Sequence, residues 1–285
     1  MKTFCIIGVA GFVAKLHLNS IKKIKGKLLA ACDRHDNVGF LDNIFPKAIF
    51  FKNEGDFFIY IKRNKVDYLV ICTPTHLHYR HIKLGLKSGS NVIVEKPPIL
   101  DHNKLKEIYL LEKKYQKKCY CIFQLRNNDK IKILRKKIFK SNKYNNVKVH
   151  YSTYRGNWYF KTWKNIPKLS GGLLVNIGIH FFDILIWIFG DVKKLQIINK
   201  TKSEICGVLE LTKAFVNWKL STKKIVTKKN KKTNFERYMT VNNIRYDFNN
   251  FNDLHFNNYV MIIKHKKFHI SEFEKTIKLI NYISK

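Results

Sequence analysis

The sequence predicts an α/β domain over residues 1–120 followed by an α+β domain over residues 121–285. Three observations carry that prediction. Short apolar runs alternate with amphipathic segments through the first domain, the pattern of βαβ units in a parallel sheet. A glycine turn follows the first apolar run, where such units bind nucleotides. Beyond residue 121, alternating and aromatic-rich runs replace most of the helical segments.

The elements follow in order. Strands are expected at Thr3–Ile7, Leu28–Cys32, Ala48–Phe51, Tyr68–Cys72 and Asn91–Val94. Helices are expected near Val13–Lys23, Asp56–Arg63 and His78–Ser88, the last stopped by Gly89. A further helix opens at Asp101, a suitable N-cap, and Leu105, Ile108, Leu111 and Tyr115 recur at helical spacing behind it. Cys119–Phe123 reads as another strand. In the second domain, strands at Val147–Tyr154, Ile205–Leu211, Ala214–Leu220 and Arg237–Val241 accompany one strongly apolar helix, Ile177–Ile188. Lys223–Asn234 is a charged, low-complexity stretch, an exposed hairpin loop or partly disordered insertion.

Composition narrows the function classes. The chain is 45% hydrophobic and 26% charged, which is ordinary for a globular protein and excludes a disordered, fibrous or polytopic membrane chain. The 55 Lys+Arg against 20 Asp+Glu give a formal charge of +35, which invites a nucleic-acid partner. Lys far outnumbers Arg, however, and travels with Asn, Ile, Phe and Tyr along the whole chain, as A+T-rich codon usage would produce. Base readout draws on the planar fork of Arg. Nucleic acid is therefore not the expected partner, although a basic surface steers anionic substrates inward. The six cysteines include no C-x-x-C pair and read as buried thiols of a reducing cytoplasm. Met1–Ala14 looks superficially like a signal peptide but reads better as strand, glycine turn and helix. Ile177–Phe189 is too short to cross a bilayer and contains His180 and Asp183, so no membrane span is expected.

Four motifs bear chemistry. Gly8-Val9-Ala10-Gly11-Phe12-Val13-Ala14 is G-x-x-G-x-x-A between a strand and a helix, where backbone approaches a pyrophosphate and helix amides meet it. Alone it suits a purely structural turn nearly as well. Asp33 ends the second strand, where an acid bonds the adenosine ribose and disfavours a 2′-phosphate, pointing to NAD over NADP. Thr73-Pro74-Thr75 leads into His76, His78 and His81, read as partly exposed imidazoles at a helix start. No neighbouring carboxylate or thiol completes a metal site, so no metal is expected. Glu95-Lys96-Pro97 ends the fifth strand, so Lys96 points at the ligand crevice of an open parallel sheet. Asn176, His180 and Asp183 share one helical face, either a satisfied core network or an acid/base face.

The order of glycine turn, Thr-Pro, Glu-Lys-Pro and Gly-Gly…Gly-x-His-x-x-Asp resembles the glucose–fructose oxidoreductase/inositol dehydrogenase family. Several segments are similar to its branch that oxidises UDP-N-acetylglucosaminuronic acid at C3. They are Val9–Phe12, Gln124–Arg126, Arg155–Tyr159, Lys161–Lys164, Asn176–Phe181 and Phe251–His255, and the likeness extends to the helix Ser271–Ser284. The resemblance implies a Rossmann domain and a domain with a large open, mostly antiparallel sheet, the terminal helix packing back on the first. It implies NAD held by Gly8, Ala10, Gly11, Phe12, Asp33, Thr73, Pro74, Thr75, His78, Glu95, Lys96, Gln124, Trp163 and Lys164. It implies a UDP-sugar uronic acid met by Lys96, Arg155, Asn157, Tyr159, Lys161, Asn176 and His180. Lys96 and His180 are the catalytic candidates, and either suits the base. The family often has Asp at Asn176 and Asn at Gln124; an amide at 176 cannot relay a proton as an acid or base. A homotetramer, a downstream aminotransferase and a place in bacterial O-antigen lipopolysaccharide synthesis are implied with it. A relative acting on another sugar or polyol, and a non-catalytic basic binding protein on the same fold, remain the alternatives.

Overall fold

A computed structural model of the chain describes residues 1–226, 232–233, 235–248 and 253–284. The chain divides into two compact units, Met1–Phe123 with Asp253–Glu274, and Gln124–Asn252 with Lys275–Lys285.

In the first unit six parallel strands run β1 (Thr3–Ile7), β2 (Lys27–Cys32), β3 (Ile49–Phe51), β4 (Tyr68–Ile71), β5 (Asn91–Val94) and β6 (Cys119–Cys121). Their spatial order is β3-β2-β1-β4-β5-β6, which reverses between β1 and β4 and opens the ligand crevice there. All four residues of β4 are buried, as a strand covered on both faces requires. The connecting helices are α1 (Ala14–Lys23), α2 (Phe40–Ile44), α3 (Glu54–Arg63), α4 (Thr75–Lys87) and α5 (Lys104–Tyr115). Asn53 caps α3 by accepting the Asp56 amide, with acids in the first turn and bases in the last. Asp101 is not the cap of α5. Its carboxylate accepts the Asn103 amide instead, and the helix starts at Lys104.

The second unit begins with α6 (Asp129–Phe139) and β7 (Asn145–Thr153), then the short α7 (Asn157–Phe160) and α8 (Pro167–Ser170), and then the long α9 (Gly172–Phe189). The strands β8 (Val192–Lys200), β9 (Glu204–Leu211), β10 (Ala214–Ser221), β11 (Ile225–Val226), β12 (Lys232–Thr233), β13 (Phe235–Val241) and β14 (Ile244–Asp247) follow. The main sheet is ordered β14-β13-β7-β10-β9-β8, parallel at β7–β10 and antiparallel at its other pairings. Ala214, Val216, Trp218 and Leu220 of β10 face inward while Phe215, Asn217 and Lys219 face out, the period of two that marked the strand in the sequence. α9 covers the inner face. A Cβ on Gly178 would come 2.6 Å from Leu220 Cδ1, so any larger residue there would require the Leu220 side chain to shift. Burial of Phe181, Phe182, Phe189 and their neighbours here contributes roughly 1.5–3 kcal/mol per large side chain. The run Pro167–Phe189 is long and apolar enough to cross a bilayer by composition, but 83% of its most apolar window is buried inside the protein.

The Lys223–Asn234 stretch lies partly outside the described residues; its stems, β11 and β12, pair antiparallel as a hairpin. All six cysteines are free thiols, five of them buried. The sequence assigns residues 121–285 to the second domain, with the terminal helix packing back on the first. In the structure α10 (Leu254–His265) belongs to the first unit. There Asn258 Oδ1 accepts the Phe123 amide at 3.2 Å, and Phe273 stacks on Phe123. The final helix, α11 (Glu274–Ser284), lies almost wholly in the second unit, where the Thr276 hydroxyl reaches Asp183.

Candidate active site

The first unit carries a dinucleotide cradle. Gly8 has φ +85°, in the left-handed region, and a Cβ there would lie 2.5 Å from the Thr73 amide nitrogen. The turn is closed by the Gly11 amide donating to Gly8 O at 3.1 Å, and α1 begins three residues on. Asp33 leans over the turn, one oxygen accepting the Ala10 amide and the other the His35 amide, each at 3.0 Å. Phe12 stands almost fully exposed at the rim. Small turn, helix N-terminus and acid together are what a bound NAD requires: amides for the pyrophosphate and a carboxylate for the ribose. The residues present fit it.

Thr73 and Pro74 bring a second turn beside Gly8, and the histidines behind it are more deeply placed than the sequence suggested. His78 and His81 are buried, and only His76 is exposed. Burial pushes the His81 pKa down to about 4, so the neutral ring donates from Nε2 to Glu54 and accepts the Thr73 hydroxyl at Nδ1, 2.9 Å away. His78 sets its nitrogens 2.8 Å from Thr73 O and 2.8 Å from Pro97 O, joining the two turns through their carbonyls. Thr75 is buried at the start of α4. Lys96 is half-buried, joined to Pro97 by a cis peptide bond, and its amide donates to Glu95 Oε2 at 3.1 Å.

Glu95 itself is buried. Its Oε1 faces His17 Nε2 at 2.9 Å and His255 Nε2 at 3.1 Å. Burial pushes this carboxyl up, but hydrogen bonds from the two imidazoles outweigh it and hold the pKa well below the carboxylate range. Burial drives the His17 pKa down, so its ring is neutral and its Nδ1 accepts the Tyr259 hydroxyl at 2.8 Å. His17, His255 and Tyr259 escaped sequence analysis. The signal was a histidine on the apolar face that Ala14, Leu18 and Ile21 define on α1.

In the second unit, α9 presents Asn176, His180 and Asp183. His180 is 8% exposed and Asn176 half-buried. Asp183 is held in a buried network: Arg126 donates to both its oxygens, at 2.8 and 2.7 Å, and Thr276 adds a bond at 3.0 Å. For this member of the triplet the core-network reading holds. Gln124 is buried in the adjoining 3₁₀ turn. The segment 155–164 gathers cations and aromatics. Arg155 is half-buried, Asn157 and Lys161 are exposed, and Lys164 lies 4.9 Å from the Trp158 ring and 5.8 Å from the Trp163 ring. Burial, with Arg155 nearby, pulls the Lys164 pKa down. Tyr159 is 1% exposed and its hydroxyl has no hydrogen-bond partner among the described residues.

Fold and glycine turn define an NAD-binding oxidoreductase. The chain belongs to the GFO/IDH/MocA oxidoreductase family: residues 2–123 match its NAD-binding Rossmann fold and residues 136–245 its C-terminal alpha/beta domain. Among solved structures it is similar to the WlbA (WbpB) dehydrogenase of Thermus thermophilus, crystallised with NAD and UDP-GlcNAcA and also with NAD and alpha-ketoglutarate. That likeness has 33% identity and a TM-score of 0.96 and covers 100% of this chain and 95% of the other. An uncharacterized oxidoreductase of Schizosaccharomyces pombe is 24% identical over 64% of this chain, and the D-glucoside 3-dehydrogenase of Escherichia coli is 25% identical over 55%. The chain matches half or less of the length of these two curated relatives, 50% and 45% respectively.

Proposed function

We propose that the protein oxidises the C3 hydroxyl of UDP-N-acetylglucosaminuronic acid to the 3-keto sugar. The observation that carries this reading is the end-to-end likeness to the Thermus thermophilus dehydrogenase crystallised with NAD and UDP-GlcNAcA. The cation-and-aromatic segment 155–164 supports it, because a nucleotide diphosphate and a carboxylate call for cations beside stacking rings. NAD, when bound, accepts the hydride. The chain's own residues handle the proton and the charge. His180 takes the hydroxyl proton as hydride departs, and the Lys96 ammonium stabilises the developing alkoxide; with the roles exchanged, Lys96 is the base. Arg155, Asn157, Tyr159, Lys161 and Asn176 hold the sugar nucleotide. Gln124, Trp163 and Lys164 complete the cofactor's surroundings.

The proposal extends to a homotetramer in the cytoplasm that supplies the keto sugar to an aminotransferase of O-antigen synthesis. The test is incubation with NAD, with and without 2-oxoglutarate, and a panel of UDP-sugars, free sugars and inositols. Product is followed by mass as loss of two hydrogens. Conversion of the UDP-uronic acid alone is expected. Conversion of a simple glucoside or polyol instead would assign the chain to another branch of the family.

A further inference from the structure

Glu95 receives three hydrogen bonds, and each is fixed in direction. An ionised carboxylate only accepts, so the nitrogens of His17 and His255 that face it both carry protons. His17 is neutral through burial, so its remaining nitrogen must accept, and the Tyr259 hydroxyl donates to it. The third donor is the amide of Lys96 on the other carboxylate oxygen. These groups come from α1, from the end of β5 and from α10, the helix that returns to this unit late in the chain. The facing atoms of His17, Glu95 and His255 lie within 4.8 Å of one another, and hydrogen bonds account for all three.

We infer that His17, His255 and Tyr259 are positioning residues for Lys96. They immobilise the Glu95 carboxylate, the carboxylate pins the Lys96 peptide, and the lysine side chain starts from a fixed point. The inference rests on the proposed function in taking Lys96 as a reacting group. The pinning itself is measurable without any substrate. Pro97 and Pro98 have no amide hydrogen, so exchange in the segment 95–98 reports two amides only. The Glu95 amide donates to Ile71 O within the sheet, and the Lys96 amide donates to Glu95.

The experiment compares wild type with Glu95→Gln, His255→Ala and His255→Gln, using the full chain. A Gln at 95 keeps the volume, but its one accepting oxygen cannot serve both the imidazoles and the Lys96 amide. A Gln at 255 still donates an N–H where an Ala does not. We expect Lys96 amide exchange to rise about tenfold or more in Glu95→Gln and His255→Ala, with β5 amides unchanged in the same samples. Turnover should fall about tenfold, and His255→Gln should recover most of the turnover and of the slow Lys96 exchange. Should His255→Ala fail to fold, Glu95→Gln decides the matter. Unaltered Lys96 exchange overturns the inference, as does faster exchange with undiminished turnover. Absence of turnover on every sugar tested in the wild type defeats the proposed function instead, and the exchange result then stands by itself.

Discussion

Two buried carboxylates, one in each unit, adjoin the residues proposed for proton chemistry, and they are held in different ways. Asp183 lies one helical turn beyond His180 and is gripped by a bidentate guanidinium and a hydroxyl. Glu95 precedes Lys96 and is gripped by two imidazoles and a backbone amide. The planar fork of Arg126 matches a carboxylate, so Asp183 is a fixture of the fold. The partners of Glu95 are imidazoles from distant segments, so that grip can be loosened by one substitution. Burial and pairing alone therefore do not mark a catalytic acid. What distinguishes the two is whether the partners also hold a reacting group in place.

The largest effect should come at the neighbours of these acids. Lys96→Ala and His180→Ala should each lower turnover by about 10²–10⁴, measured by steady-state kinetics. Near-normal turnover in both would remove their proposed roles. The pH profiles of the two variants show which group is the base.

Next comes Asp183→Ala, which leaves Arg126 buried without its counter-ion. It should cost about 3–5 kcal/mol of stability, read by chemical denaturation. A loss below about 1 kcal/mol would show the pair to be dispensable and erase the contrast with Glu95.

The third effect is acid lability. The folded pKa values of His17 and His81 lie below the ordinary imidazole value, so the unfolded chain binds more protons between the two. Their contribution to stability is complete above about pH 6.5 and is lost as pH falls toward their folded values, near 4 for His81. Each ring should cost up to about 1.4 kcal/mol per pH unit in that window. His81→Gln should flatten the dependence of melting temperature on pH; an unchanged slope would show the ring to be protonated already.

The smallest effect is at Tyr159. Removing a buried hydroxyl that bonds nothing among the described residues should change stability by less than about 0.5 kcal/mol. If that hydroxyl meets the sugar nucleotide, Tyr159→Phe should raise KM for the sugar several-fold with kcat little changed.

The glycine turn, Asp33 and Glu95-Lys96-Pro97 were readable in the sequence because each needs a particular residue at a particular strand end. α9 was readable because its apolar residues leave a single polar stripe. β8 was not: it is an edge strand whose side chains are largely exposed, so no alternation marks it. α10 was missed for a related reason. Its buried Asn258 and Tyr259 are polar, and a search for apolar spacing passes over them. The setting of Glu95 was hidden altogether, since its imidazoles stand 78 and 160 residues away and only the folded chain brings them to one oxygen.

The central claim is that this NAD-dependent fold acts on a UDP-linked uronic acid. The most direct measurement is mass analysis of UDP-N-acetylglucosaminuronic acid after incubation with the purified protein, NAD and 2-oxoglutarate. A product lighter by two hydrogens is expected, formed at least about a hundredfold more slowly when Lys96 is replaced by Ala. Full recovery of the starting sugar, alongside oxidation of a glucoside or inositol by the same preparation, would contradict it.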